Sequence, residues 1–128
     1  MAKGDYTKAK EITLQTKEKV LKRQDYKSIS GISLAGKQVE FHHFVARSSS
    51  GVGYEWNIVA ITFDEHRRYH DGNNIQVNGR DRYTNDEFTT LMRNHLIRYY
   101  NDWSIDKCKY KKGYEEKDYE VNVRTERL

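Results

Sequence analysis

Apolar residues are sparse along this chain and fall in short, separate patches. Over residues 11–24, EITLQTKEKVLKRQ, Ile12, Val20 and Leu21 stand in a charged background, which predicts a short amphipathic helix. The following YKSISGISLAGK has glycines at 31 and 36 and reads as turns flanking a short strand. Residues 38–45, QVEFHHFV, alternate loosely and are rich in β-formers, so they predict a strand. Residues 46–53, ARSSSGVG, read as a small-residue loop. Residues 56–63, WNIVAITF, form an apolar run with β-branched members and predict a second strand. Asp64 and Glu65 then open a helix, because acids suit its N-terminal dipole; it carries HRRYH and ends near Asp71 and Gly72. Residues 72–82, GNNIQVNGRDR, read as a polar loop. Thr84 and Glu87 make a capping box. Behind it Phe88, Leu91, Met92, Leu96 and Tyr99 mark one face of a helix running to about Tyr100. Trp103 is expected to pack just past its end. The tail from Gly113 reads either as a late strand, YEVNV, or as a disordered end, and residues 1–10 read as polar and frayed.

Composition narrows the class. A chain of 128 residues is one domain's worth and fills one small core. No stretch approaches ~18 consecutive apolar residues, which excludes a transmembrane helix. The N-terminus is basic but has no apolar run, so it is not a secretory signal. The single cysteine, Cys108, excludes an intramolecular disulfide framework and a Cys-rich zinc site. Such a chain is expected in the cytoplasm. The net charge is +4, and it is uneven: residues 1–40 hold nine Lys/Arg against five Asp/Glu, whereas the remainder balances. A further cluster is Lys107, Lys109, Lys111 and Lys112. Basic segments suit a polyanion such as DNA, although a charge of this size is also ordinary for solubility.

The histidines change the picture more than the charge does. Four of the five, His42, His43, His66 and His70, fall within 29 residues. His42 and His43 are adjacent on a predicted strand, so they face opposite sides. One can hold a metal ion while the other does separate work. His66 and His70 are four apart on a predicted helix and share a face, a spacing that puts two imidazoles on one ion. Arg47 in the inter-strand loop and Arg67 and Arg68 on the helix flank this set, and Arg47 can hold a phosphate bidentately. Tyr54, Trp56 and Tyr69 read as scaffold.

The segment FHHFVARSSSGVGYEWNIVAITFDEHRRYHDG, with its order HH–x13–N–x8–H–x3–H, resembles the HNH, or ββα-metal, endonuclease motif. The downstream F-x2-L-x4-L helix, then NDW and YKKGYEE, is similar to the C-terminal part of small phage-encoded HNH endonucleases. The resemblance implies an α+β fold with a ββα-metal core over about residues 38–72. The core has two short antiparallel strands and a metal-bearing helix. An N-terminal helix and a helical extension over about 84–103 flank it, and residues 1–128 form a single domain. It implies DNA phosphodiester hydrolysis with His43 as general base and one divalent ion held by His42, His66 and His70. Asn57 would set the loop and keep the base oriented, and Arg47, Arg67 and Arg68 would meet the substrate. Position 42 is Asp in many family members. Three imidazoles favour a borderline transition ion over bare Mg²⁺, with Mg²⁺, Mn²⁺, Ni²⁺ and Zn²⁺ all compatible. The implied setting is the host cytoplasm of a phage, with DNA and packaging proteins such as a terminase as partners and no membrane.

The chain departs from the pattern in one respect. Many relatives of this type hold a structural zinc with two CxxC pairs, which would fall at Thr62 and Glu65 and near Ser28–Ser30; no structural zinc is expected here. Packing by Trp56, Phe63, Trp103 and the helix at 84–100 is expected to replace it. Two other readings compete. One is a non-catalytic DNA-binding, regulatory or packaging accessory protein on the same fold. The other is a metal-binding structural protein, which explains neither Asn57 nor the basic N-terminal segment.

Overall fold

The computed structural model describes residues 5–125. Along the chain lie α1 (Asp5–Lys10), α2 (Leu14–Arg23), β1 (Val39–His43), β2 (Ile58–Thr62) and α3 (Phe63–His70). They are followed by β3 (Ile75–Val77), β4 (Arg80–Tyr83), α4 (Asn85–Tyr99), β5 (Tyr100–Asn101) and β6 (Asn122–Val123). The strands pair as three antiparallel two-stranded sheets, β1–β2, β3–β4 and β5–β6, so the fold is a small α+β arrangement. Among the described residues no helix is long and apolar enough to cross a membrane.

The core is built on both faces of β2. Val59 and Ile61 point into one apolar cluster with Phe88, Met92 and Leu96 of α4. Ile58 and Ala60 point the other way, into a smaller cluster with Val20 of α2 and Leu34. A strand covered on both faces has no reason to alternate, which is why WNIVAITF is a continuous apolar run. Phe88, Met92 and Leu96 are fully buried. Each such side chain contributes about 1.5–3 kcal/mol on leaving water. The α4 capping box is present, with Thr84 Oγ1 accepting from Glu87 N and Glu87 returning to Thr84 N.

Several expected boundaries move. The N-terminal helix begins at Leu14, because Thr13 caps it through Thr16 N. Residues expected to fray include α1, whose Ala9 is buried. The α1–α2 connection lies directly on Gly53: Gly53 N donates to Ala9 O at 2.8 Å. A Cβ at position 53 would meet the Glu11 carbonyl oxygen at 2.1 Å. The stretch 27–37 contributes only an isolated Lys27–Ser33 bridge to strand structure. The expected loop at 72–82 is instead the β3–β4 hairpin. Its Asn78-Gly79 turn has φ of 53° and 77°, as a type I′ turn requires. The tail is the late-strand alternative, reduced to Asn122–Val123 against β5.

The packing expected in place of a structural zinc is only partly right. Trp103 Nε1 donates to Trp56 O at 2.6 Å, and Trp56 is buried, but Phe63 is 41% exposed. At the positions in question a polar knot forms around the buried Glu65 carboxylate. It accepts from Ser28 Oγ at 2.5 Å, from Ser30 Oγ and from Thr62 N at 2.8 Å. A carboxylate removed from water needs such donors. Thr62 Oγ1 accepts in turn from Glu65 N, completing a second capping box that starts α3 one residue earlier than expected.

Candidate metal centre

β1 and α3 bring three imidazoles together. β1 pairs with β2 in a register that sets His42 opposite Val59 and His43 opposite Ile58. Alternation along β1 turns Glu40 and His42 toward α3, and Val39 and Phe41 toward the α2 cluster. On α3, His66 and His70 sit one turn apart. The Glu65 knot fixes that helix one residue before His66, and Tyr69 Oη bonds Thr89 Oγ1 of α4 beyond it.

His66 Nε2 lies 3.3 Å from His42 Nδ1 and 3.0 Å from His70 Nε2. All three ligand atoms fall within 4.8 Å of one another. Nitrogens sharing one ion at about 2.0–2.1 Å stand about 3 Å apart, so the three side chains fit a divalent ion. Three converging imidazole nitrogens with no protein donor between them repel unless a proton or a cation intervenes.

Burial sets the charge state. His42 is 8% exposed and sits edge-on to Tyr69. Burial first, then His66 and His70, holds its pKa down to about 3. His66 is lowered by burial and by His70, with Glu40 pulling the other way. A neutral imidazole is the form that ligates. Glu40 Oε1 stands 3.7 Å from His66 Nδ1, the nitrogen left over if Nε2 ligates. Carboxylates in that place orient ligating histidines. Glu40 was not singled out in the sequence; its signal is its place two residues before His42 on the same strand face.

His43 works on the other side of β1. Its Nε2 lies 2.9 Å from the Lys10 carbonyl oxygen. A carbonyl only accepts, so Nε2 carries the hydrogen and Nδ1 keeps the lone pair. Burial is the largest influence lowering its pKa; the Lys10 carbonyl opposes, and Arg47 and Lys10 add to the lowering. The Lys10 carbonyl is a second group that sequence reasoning missed, since nothing in the pattern ties residue 10 to residue 43.

Asn57 is fully buried and staples the inter-strand loop. Its Oδ1 accepts from Val45 N at 2.8 Å, and its Nδ2 donates to Val45 O at 3.1 Å and Val52 O at 2.7 Å. Arg23 of α2 holds the turn that carries it, donating to Glu55 O at 2.9 Å and Ile58 O at 2.6 Å.

The arginines divide. Arg47 is exposed and lines the same depression as His43. Arg67 is exposed on α3, and no described carboxylate pairs with it. Arg68 is tied to Asp64 at 3.0 Å and faces a hollow beside the β3–β4 hairpin, away from the histidines. Tyr54, Trp56 and Tyr69 pack into or against the core, as scaffold should. The fifth histidine, His95, lies on α4 outside the cluster.

The site can therefore hold one divalent ion, and the next strand residue, His43, presents an imidazole on the opposite face of β1. No protein-family model, curated protein or solved structure matches this chain.

Proposed function

We propose that this chain is a metal-dependent endonuclease of the HNH type, with a ββα-metal core formed by β1, β2 and α3, that hydrolyses DNA phosphodiester bonds. The observation that carries the reading is the convergence of His42 Nδ1, His66 Nε2 and His70 Nε2, next in sequence to a histidine whose free nitrogen is Nδ1. A divalent ion held there supplies Lewis-acid stabilisation of the charge that grows on the phosphate and leaving oxygens.

The protein's own groups do the rest. His43 Nδ1 takes a proton from the attacking water, and its Nε2–H stays fixed on the Lys10 carbonyl. The water oxygen bonds to phosphorus as the bond to the 3′ oxygen breaks, and the departing 3′ alkoxide takes a proton from solvent, leaving a 5′ phosphate and a 3′ hydroxyl. Arg47 meets a phosphate oxygen as that charge develops. Asn57 holds the loop that connects His43 to Arg47 by fixing Val45 and Val52. Arg67 stands on the metal-bearing helix with no carboxylate paired to it among the described residues, and substrate contact by Arg68 requires release from Asp64.

The test is incubation of the purified chain with supercoiled plasmid across Mg²⁺, Mn²⁺, Ni²⁺ and Zn²⁺, with EDTA as control. The expected result is nicking or linearisation that needs the metal. Salt-sensitive DNA binding with no cleavage by any metal would replace this reading with that of a DNA-binding accessory protein.

A further inference from the structure

Phe63 opens α3 yet belongs to neither apolar cluster and lies open to solvent. Its ring borders a hollow of about 490 Å³ between the start of α3 and the β3–β4 hairpin. Gln38, Gln76 and Asn78 line the hollow with side-chain amides, and Lys37 and Arg68 line it with cations. Gln76 donates its amide nitrogen to Asp81 Oδ1 at 3.0 Å, which leaves its carbonyl oxygen to accept. Among the described residues Lys37 forms no salt bridge, and Arg68 is held by Asp64. The hollow continues the seam that carries the ion site. Gln38 stands two residues before Glu40, and its carbonyl oxygen accepts from Phe63 N at 3.0 Å. Phe63 stands three residues before His66, and residues three apart on a helix are neighbours, about 5–6 Å between Cβ atoms. The ring is therefore on the same side of β1 as the three histidines, about one helical turn from His66.

We infer that this hollow receives one nucleobase of the DNA strand whose phosphate the ion holds, with the base against the Phe63 ring and its edge at the amides of Gln38, Gln76 and Asn78. A side-chain amide carries a donor and an acceptor together, which is the pairing that base edges present. An aromatic face takes any base, so Phe63 supplies affinity and the amides supply preference. Lys37 serves as a point charge for a phosphate of the same strand. Along a stacked strand a nucleotide spans about 3.4 Å, so a ring about 5–6 Å from His66 falls one or two nucleotides from the phosphate on the ion. A base enters such a hollow only when it leaves the stack, so the site favours single-stranded or locally opened DNA. This inference rests on the endonuclease reading and adds to it a base subsite on the ion's side of β1.

The experiment is fluorescence anisotropy with the full chain, in EDTA so that nothing is cut, over a range of salt. The probes are a labelled single-stranded DNA, a strand of the same length built of abasic nucleotides, and a labelled duplex. Phe63→Ala and the milder Phe63→Leu are compared with Tyr114→Ala, which removes an exposed ring elsewhere, and circular dichroism checks folding. The expected result is that Phe63→Ala loses at least about fivefold in affinity for the base-bearing strand, the lower end for a base stacked on an aromatic ring, and Phe63→Leu loses less. Affinity for the abasic strand and the slope of log K against log salt hold, because no phosphate contact is removed. Tyr114→Ala binds as the unaltered chain does. A base-bearing strand bound no better than the abasic one by the unaltered chain, undiminished affinity in Phe63→Ala, or an equal loss on the abasic strand or in Tyr114→Ala overturns the inference and leaves the endonuclease reading standing. Absence of salt-dependent binding to all three probes by the unaltered chain overturns that reading and this inference with it.

Discussion

Glu40, His66 and His95 show how one residue's surroundings decide its work. Glu40 faces the His66 nitrogen that is not turned to His42 and His70, so it orients the ring and favours Nε2 as ligand. Glu40→Gln is expected to weaken Zn²⁺ binding about 10- to 100-fold, read by calorimetry. Unchanged affinity would remove Glu40 from the site. His95 lies outside the histidine cluster. It stacks on Tyr99, its Nε2 has no hydrogen-bond partner among the described residues, and Arg23 and Arg98 lie near it. Burial first, then those cations, lowers its pKa to about 3. The unfolded chain protonates His95 near pH 6.5 while the folded chain resists, so this residue weakens the fold progressively as pH falls from about 6.5 toward 3. His95→Gln is expected to shrink the loss of stability between pH 7 and 4.5, measured by urea midpoints at both; an unchanged loss would contradict it. His66 and His70 were legible as a pair from their spacing, whereas the choice of His42 over His43 as their companion came from the family resemblance. Glu40 and the Lys10 carbonyl were not, because each acts through a contact that spacing does not express.

Two helices in this fold begin with the same device and should respond differently to its loss. α3 starts at Thr62 with Glu65, and α4 at Thr84 with Glu87. Replacing either capping threonine by alanine removes a comparable bond, about 1 kcal/mol. Only α3 carries candidate ligands, His66 and His70. Thr62→Ala is therefore expected to lower both thermal stability and metal affinity, and Thr84→Ala stability alone. Equal effects on metal affinity, measured by Ni²⁺ or Zn²⁺ titration, would contradict the positioning role given to the Glu65 knot. The same elements show what the sequence expresses at this scale. The α4 face was readable because Phe88, Met92 and Leu96 recur at helical spacing over about two and a half turns. β2 was readable as a dense β-branched run. The β3–β4 hairpin escaped because Asn78-Gly79 is a strong turn signal between strands too short to alternate visibly. α1 escaped because one buried alanine makes no pattern; its place comes from the close approach of its carbonyl end to Gly53.

Across the whole molecule, the two adjacent histidines of one strand are kept on opposite sides. On the proposed reading His42 belongs with α3 and the ion, and His43 with α1 and the depression it shares with Arg47. The fold achieves this with two clusters back to back on β2, so that β1 is supported while its two faces stay distinct. The basic excess of the N-terminal third acquires a place on these terms, since Lys10 and Lys17 flank His43 and not the ion site. The division of labour is the central claim. It is tested most directly by His43→Ala, assayed together for metal binding by calorimetry and for plasmid cleavage, with His70→Ala alongside. The account predicts that His43→Ala binds the ion as the unaltered chain does and cuts nothing, while His70→Ala loses affinity for the ion. Loss of the ion in His43→Ala, or undiminished cleavage by it, would contradict the account.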